Sequence, residues 1–248
     1  MGKVMAMRHA TEDELARWDE LVAANPDGGN SLQTKTWGEF KARWGWWPER
    51  FVYELPGGRL VVAQWLKRTI PAVGTIWYCP KGPGIVTPVD YLEVVKQTRK
   101  AGLLSGIFAR FEREVLADDV KPAALTKAGL VRANRDPASK ATIFVDLSAG
   151  EEAMLASFSQ SARRNIRKAQ AGGVVVEAVE PTADNLQAMF ELMKATEARA
   201  KYGLRPQDYF TDYWKAQTEV GQAQLFLARH DGDVLAGLFL TYLGQRGW

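Results

Sequence analysis

The sequence predicts an α+β protein made of two successive units of the same kind. Three observations carry that prediction. The chain has 248 residues, which suits two domains at roughly 150 residues each. Helical stretches precede strand-like runs in the first part of the chain, and the same order begins again after about residue 148. The last two strand-like runs flank Asp231-Gly232, a two-residue hairpin signal. The expected domains are therefore 1–148 and 149–248, related to each other as repeats.

Taken in order, Thr11-Glu12-Asp13-Glu14 has capping-box spacing, and Leu15, Trp18, Leu21 and Val22 follow at helical intervals up to Pro26. Thr36 with Glu39 forms a second such pair, opening a short helix that bears Trp37, Phe40, Lys41 and Trp44. Strand-like runs cover 50–55 and 59–67 on either side of Pro56-Gly57-Gly58, then 75–78. A Pro80-Lys81-Gly82-Pro83-Gly84 loop leads to a helix over 91–101, a strand over 106–112, a short helix over 126–129 and a strand over 141–147. The second series predicts one helix over 151–171, a strand over 174–179, helices over 182–202 and 208–220, and strands over 225–229 and 234–242. Gly244 to Trp248 read as a turn and the start of another strand, which would leave a sheet edge unpaired. The second unit is accordingly expected to be truncated at its C-terminal end.

Composition narrows the function classes. A hydrophobic fraction of 46% and a charged fraction of 25% are globular values. No apolar run approaches the ~20 residues of a membrane span, and the first residues lack an apolar signal core, so a cytoplasmic protein is expected. Cys79 is alone and His9 and His230 are the only histidines, so neither a disulfide, a metal site nor a metal cofactor is expected. A net charge of +3 does not by itself announce a nucleic-acid binder. The phosphate-loop, nucleophile-elbow and zinc-protease motifs are missing, as is the pyrophosphate loop of acetyl-CoA-dependent acetyltransferases.

Three segments remain as candidates. Between Ser157 and Gly173, Leu155, Phe158, Ala162, Ile166 and Ala169 form one apolar stripe, with Arg163, Arg164, Arg167 and Lys168 on the opposite side. No acidic residue lies between Glu152 and Glu177 to neutralise them. Such a face is either solvated, complementing the negative helix C-terminus, or an anion site, for which a guanidinium fork matches phosphate. Lys41 falls on the apolar stripe of Trp37, Phe40 and Trp44; it is either a snorkelling stem over tryptophan faces or a cation reaching an anionic ligand. Lys81-Gly82-Pro83-Gly84 combines a lysine with glycines that permit close backbone approach to a ligand. Arg199 lies off the apolar stripe of its helix.

Trp37-Gly38-Glu39-Phe40-Lys41, Tyr78-Cys79-Pro80-Lys81-Gly82-Pro83 and Ser161 to Ala169 (SARRNIRKA) resemble successive signatures of the Fem-type peptidoglycan bridge aminoacyltransferases. Thr196-Glu197-Ala198-Arg199 with Tyr209-Phe210, and the final hairpin, resemble two more in the same order. The resemblance implies two tandem acetyltransferase-like (GNAT) units, the second incomplete. It also implies transfer of an amino acid from aminoacyl-tRNA to the stem peptide of a UDP- or lipid-linked muropeptide, with peripheral contact with the inner membrane face and no metal or cofactor. Lys41 and Arg199 match precursor-binding positions of the family; Trp37, Tyr78, Lys81 and Gly82 border the same cleft by analogy. The basic set Arg163, Arg164, Arg167 and Lys168 would serve tRNA or a diphosphate. No catalytic residue is assigned, because the family's catalytic lysine lies beyond Trp248. Two alternatives stand beside this: another GNAT-fold acyltransferase, using acyl-CoA or a different aminoacyl-tRNA reaction, and a non-catalytic RNA-binding module.

Overall fold

Thr11 caps the first helix with both arms of the box, its side chain accepting from the Glu14 amide while the Glu14 carboxylate accepts from the Thr11 amide. The computed structural model describes residues 6–102, 106–112, 122–133 and 142–248. Two compact units emerge, neither of them continuous in sequence. One comprises Met1–Leu130, Lys201–Gln224 and Phe239–Trp248, and the other Val131–Ala200 and Leu225–Leu238. Among the described residues no helix is long and apolar enough to cross a membrane.

The first unit is built on five strands in the order β1 (Met7–His9), β2 (Trp47–Glu54), β3 (Leu60–Ile70), β4 (Gly74–Cys79) and β5 (Phe108–Phe111). The pairings are antiparallel except β4 with β5, which is parallel. A parallel pair needs a crossover, and α4 (Pro88–Lys100, capped by Thr87) lies in that connection. Alternation then sorts side chains to two faces. Phe51, Tyr53, Val61, Ala63 and Trp65 pack against Tyr91, Val94 and Val95 of α4. Val52 and Val62, on the other face, meet Trp18 and Val22 of α2 (Trp18–Ala23), which follows α1 (Glu12–Ala16).

β3 and β4 stay together only from Leu66↔Tyr78 to Ile70↔Gly74. Beyond Leu66 the backbone groups of β3 on that side need other partners. Two side-chain amides supply them. Asn25 donates to the Val62 carbonyl (2.9 Å) and accepts from its amide (3.0 Å). Gln33 does the same for Gln64, accepting from its amide at 2.7 Å and donating to its carbonyl at 3.2 Å. Gln33 also donates to the Pro80 carbonyl at 2.6 Å, which fixes the loop after β4.

In the second unit, β6 (Val175–Val179) pairs antiparallel with β7 (Ala223–His230), from Val175↔Arg229 to Val179↔Leu225. Four strands are hydrogen-bonded in the order β6-β7-β8-β9, with β8 at Asp233–Leu243 and β9 at Arg246–Gly247, and the residues from Phe239 onward are counted with the first unit. Leu186 and Phe190 of α8 (Ala183–Ala200) are buried. Gly237 of β8 permits a close fit, since a Cβ there would lie 2.5 Å from the Met189 sulfur.

Four expectations change. The helix bearing Lys41, α3 (Lys35–Arg43), is capped by Thr34 rather than Thr36; the Thr34 hydroxyl accepts from the Trp37 amide and Thr36 is buried inside the helix. The predicted helix over 151–171 is two, α6 (Glu151–Ser157) and α7 (Gln160–Ala171), because Phe158 is extended and Ser159 caps the second one. The predicted strand at 141–147 begins outside the described residues, and 142–147 form no strand; Ile143 and Phe144 there are exposed. A strand-like sequence becomes a strand only where a neighbour completes its ladder. The remaining short helix, α5 (Pro122–Lys127), lies earlier than the predicted 126–129 and shares only residues 126–127 with it, residues 128–129 forming a turn. The architecture is α+β throughout, as predicted.

Candidate functional site

The site begins with a glycine. A Cβ on Gly38 would lie 2.2 Å from Gln64 Oε1 and 2.9 Å from an Arg50 guanidinium nitrogen, so only glycine lets α3 sit this close to β2 and β3. The opposite side of α3 is covered by α9 (Gln207–Glu219), which belongs to the same unit. Asp212 of α9 accepts from Arg43 at 2.6 and 3.0 Å and from the Trp44 indole at 2.9 Å. Aromatic edges complete the contact: Phe40 meets Tyr209 at 4.9 Å and Tyr213 at 5.2 Å, and Trp37 meets Tyr213 at 5.3 Å.

Lys41 is enclosed by this packing and is only 7% exposed. Its Nζ donates to the Tyr209 hydroxyl at 3.2 Å. Four rings surround it, with centroids at 5.2 Å (Tyr209), 5.6 Å (Trp37), 5.8 Å (Phe40) and 5.8 Å (Trp46). Among the described residues no carboxylate pairs with it. Burial lowers its pKa to about 8, and the charges of Arg205 and Arg68 push the same way. The Arg205 guanidinium lies 4.8 Å from the Tyr209 ring and that of Arg68 lies 5.7 Å from the Trp46 ring; both residues are exposed. A buried ammonium, still charged at pH 7, thus sits below two exposed guanidinium groups. Repulsion among three cations, none of which has an acidic partner among the described residues, is relieved when an anion joins them.

On the same sheet face, Tyr78 is paired with Leu66 and Arg110 in the strand register. Its ring lies 6.3 Å from Trp46, and its hydroxyl donates to the Glu112 carboxylate. Burial raises the phenol pKa, and the bond to Glu112 raises it further. The Pro80–Gly84 loop turns inward. Lys81 has positive φ (49°), the Gly82-Pro83 bond is cis, and a Cβ on Gly82 would press on Gln33 and Cys79 at 2.9 Å. Gly82 therefore packs against the protein's own interior.

Trp37, Lys41 and Tyr78 line one region, joined through Trp46, and Lys81-Gly82 follows Tyr78 on the adjoining loop. Arg199 is exposed on α8, which belongs to the second unit. Within the first unit, Arg205 lies beside Lys41, acting on its charge, and sequence reading passed it over. Arg68 and Glu112 were also missed, and Tyr209 was read as part of a motif without a place in the site. Arg205 and Tyr209 have i, i+4 spacing across Pro206, a signal for a cation resting on a ring, but nothing in sequence ties that pair to Lys41. Arg163, Arg164, Arg167 and Lys168 lie on α7, also in the second unit. Arg163 is committed there, donating to the Ala156 carbonyl (2.9 Å) and the Phe158 carbonyl at the end of α6.

A family model described as the FemAB family matches residues 108–233, slightly more than half of the chain. The chain belongs to the FemAB family. A lipid II:glycine glycyltransferase of Staphylococcus aureus strain MRSA252 is 28% identical, the match covering 92% of this chain and 56% of the relative. One from strain USA300 is 27% identical with the same coverage. The crystal structure of FemX superposes with a TM-score of 0.66 at 25% identity, covering 90% of this chain and 57% of that one. This FemAB chain thus spans little more than half the length of the relatives it matches, and its fold is that of FemX over the shared part.

Proposed function

We propose that this FemAB chain carries the acceptor-binding part of an aminoacyltransferase. It moves an amino acid from an aminoacyl-tRNA ester to an amine on the stem peptide of a lipid-linked muropeptide, forming interpeptide bridges during cell-wall biogenesis. Family membership and the lipid II glycyltransferases among its relatives support the reaction class. The observation that carries the site is Lys41, a buried ammonium in an aromatic box, flanked by Arg205 and Arg68 and without a carboxylate partner among the described residues. Muropeptide precursors carry a pyrophosphate, whose charges suit three convergent cations.

The chemistry asks little beyond placement. The ester is already activated, so the neutral acceptor amine attacks its carbonyl, the nitrogen loses a proton, and the ribose oxygen leaves with one. Orientation and electrostatic stabilisation of the oxyanion supply the rate. Lys41 and Arg205 hold the acceptor by its diphosphate. Glu112, which accepts from the Tyr78 hydroxyl, offers a carboxylate on this face to steer the approaching amine.

Calorimetric titration of a UDP-linked muropeptide, which shares the diphosphate, tests the reading. Lys41→Ala and Arg205→Ala should each weaken binding at least about tenfold, since a charged hydrogen bond contributes ~1.5–3 kcal/mol. Arg199→Ala, at the other precursor-binding position that the resemblance implies, should weaken binding as well. Wild-type affinity in both Lys41→Ala and Arg205→Ala would remove the proposed site.

A further inference from the structure

In the first unit α4 covers only part of its sheet face. It packs on Phe51, Tyr53 and Trp65 and ends at Lys100. On that same face Trp47 stands opposite Lys67, and Lys67 opposite Trp77, so β2, β3 and β4 set an indole, an ammonium and an indole in one row. Trp47 is 69% exposed, and Lys67 and Trp77 are half-buried. Beside the row opens a groove of about 760 Å³, walled by Ala101 and Gly102 just beyond α4 and by Gly106. That volume lies within the ~300–1,000 Å³ of small-molecule clefts. A Cβ on Gly106 would lie 2.3 Å from the Thr75 carbonyl oxygen, so the wall there is bare backbone. The polar groups are few and of both signs. The Glu49 carboxylate lies 3.7 Å from the His9 imidazole, which rests 4.5 Å from the Phe51 ring. The Lys67 ammonium lies 5.3 Å from the Trp77 ring, and among the described residues no acid pairs with it.

We infer that this groove binds a β-1,4-linked oligosaccharide, with Trp47 and Trp77 as stacking platforms and Lys67, Glu49 and His9 bonding its hydroxyls. The mixture of groups selects the ligand class. A pyranose carries C–H groups on its faces and hydroxyls around its edge, so it needs flat apolar surface with polar partners to the side. An apolar ligand would strip water from Glu49 and Lys67 and give nothing back. A phosphate would meet the Glu49 carboxylate as well as the Lys67 ammonium. Spacing selects the linkage. β2 and β4 are two strand spacings apart, ~9.6 Å, close to the length of one disaccharide in a flat β-1,4-linked chain. Both indoles can therefore hold one such chain from the same side, whereas an α-1,4-linked chain coils away from the second. The inference does not rest on the Lys41 site, which lies with Tyr78 on the opposite face of the sheet.

Calorimetric titration of the full chain with chitotetraose, a β-1,4-linked N-acetylglucosamine tetramer, tests the inference, with maltotetraose as the α-1,4-linked comparison. The wild type should bind chitotetraose and leave maltotetraose unbound. Trp47→Ala removes a largely exposed indole, so the fold is kept, and should weaken binding about five- to tenfold. Trp47→Phe should restore most of that loss. Lys67→Met keeps the stem over Trp77 but loses a charged donor, and should weaken binding at least about tenfold. Lys41→Ala should bind chitotetraose as the wild type does, so a failed diphosphate site and a failed sugar groove give different results. No chitotetraose binding by the wild type, equal binding of maltotetraose, or unchanged affinity in Trp47→Ala overturns the inference. So does a wild type that binds neither sugar and sediments as a dimer that Trp47→Ala dissociates, which would make this face a protein interface.

Discussion

Replacing Lys41 by methionine should make the protein more stable while destroying its anion site. Methionine keeps the unbranched stem that packs against Trp37, Phe40 and Trp46 and removes the buried charge. Burial takes the Lys41 pKa from 10.5 to about 8. At ~1.36 kcal/mol per unit this penalty is about 3 kcal/mol. Losing the bond to Tyr209 offsets about 1 kcal/mol of the relief, so the net gain at pH 7 is about 2 kcal/mol. That corresponds to a rise of roughly 4–8 °C in Tm for a chain of this size. The sign follows from linkage. Between pH 8 and 10.5 the unfolded chain holds the lysine proton that the folded chain has lost, so wild-type stability rises with pH in that window. The advantage of Lys41→Met should be full below about pH 8 and shrink toward pH 10.5. Urea unfolding at pH 7, 8.5 and 10 measures it. A variant destabilised at pH 7, or one whose difference from the wild type does not change with pH, would refute the account of Lys41 as an unpaired buried cation.

Two further substitutions test how the site is assembled. Gly38→Ala should cost about 1–3 kcal/mol by forcing α3 away from Gln64 and Arg50, read as a lower urea midpoint, and should weaken diphosphate binding in the same variant. Asp212→Ala removes the acceptor shared by Arg43 and Trp44 and should cost about 1–2 kcal/mol. Burial raises the Asp212 pKa, but the bonds from Arg43 and Trp44 outweigh it and hold the carboxyl below its ordinary value. Its contribution is present above the ordinary carboxylate pKa and is lost as pH falls through the lowered one, so the wild type and Asp212→Ala should converge in acid unfolding.

Local chemistry made most elements legible. The Thr11 box, the helix carrying Lys41, the alternation along 50–67 and the Asp231-Gly232 hairpin all follow from interactions within a few residues, and the structure keeps them. Errors arose where a local signal had a rival or depended on a distant partner. Thr34 and Thr36 both stand before an amphipathic run, and the cap fell to the one whose hydroxyl reaches the Trp37 amide. The apolar stripe from Leu155 to Ala169 is continuous in sequence, yet Ser159 restarts the helix in its middle. The candidate site was half visible: Lys41 stood out because it interrupts an apolar stripe, and Tyr78 through its motif.

The sequence by itself determined the α+β class, the order of elements, the oddness of Lys41 and the absence of acids around the α7 cations. These depend on spacing along one chain, which sequence records directly. Only the tertiary structure decided that α9, whose Tyr209 lies 168 residues after Lys41, covers α3 and brings Tyr209 and Arg205 to Lys41. It alone gave Glu112 to Tyr78, and it alone showed that Gly82 faces the protein interior. Those pairings depend on which faces pack together, a choice made by shape and burial across the whole core and written in no local pattern.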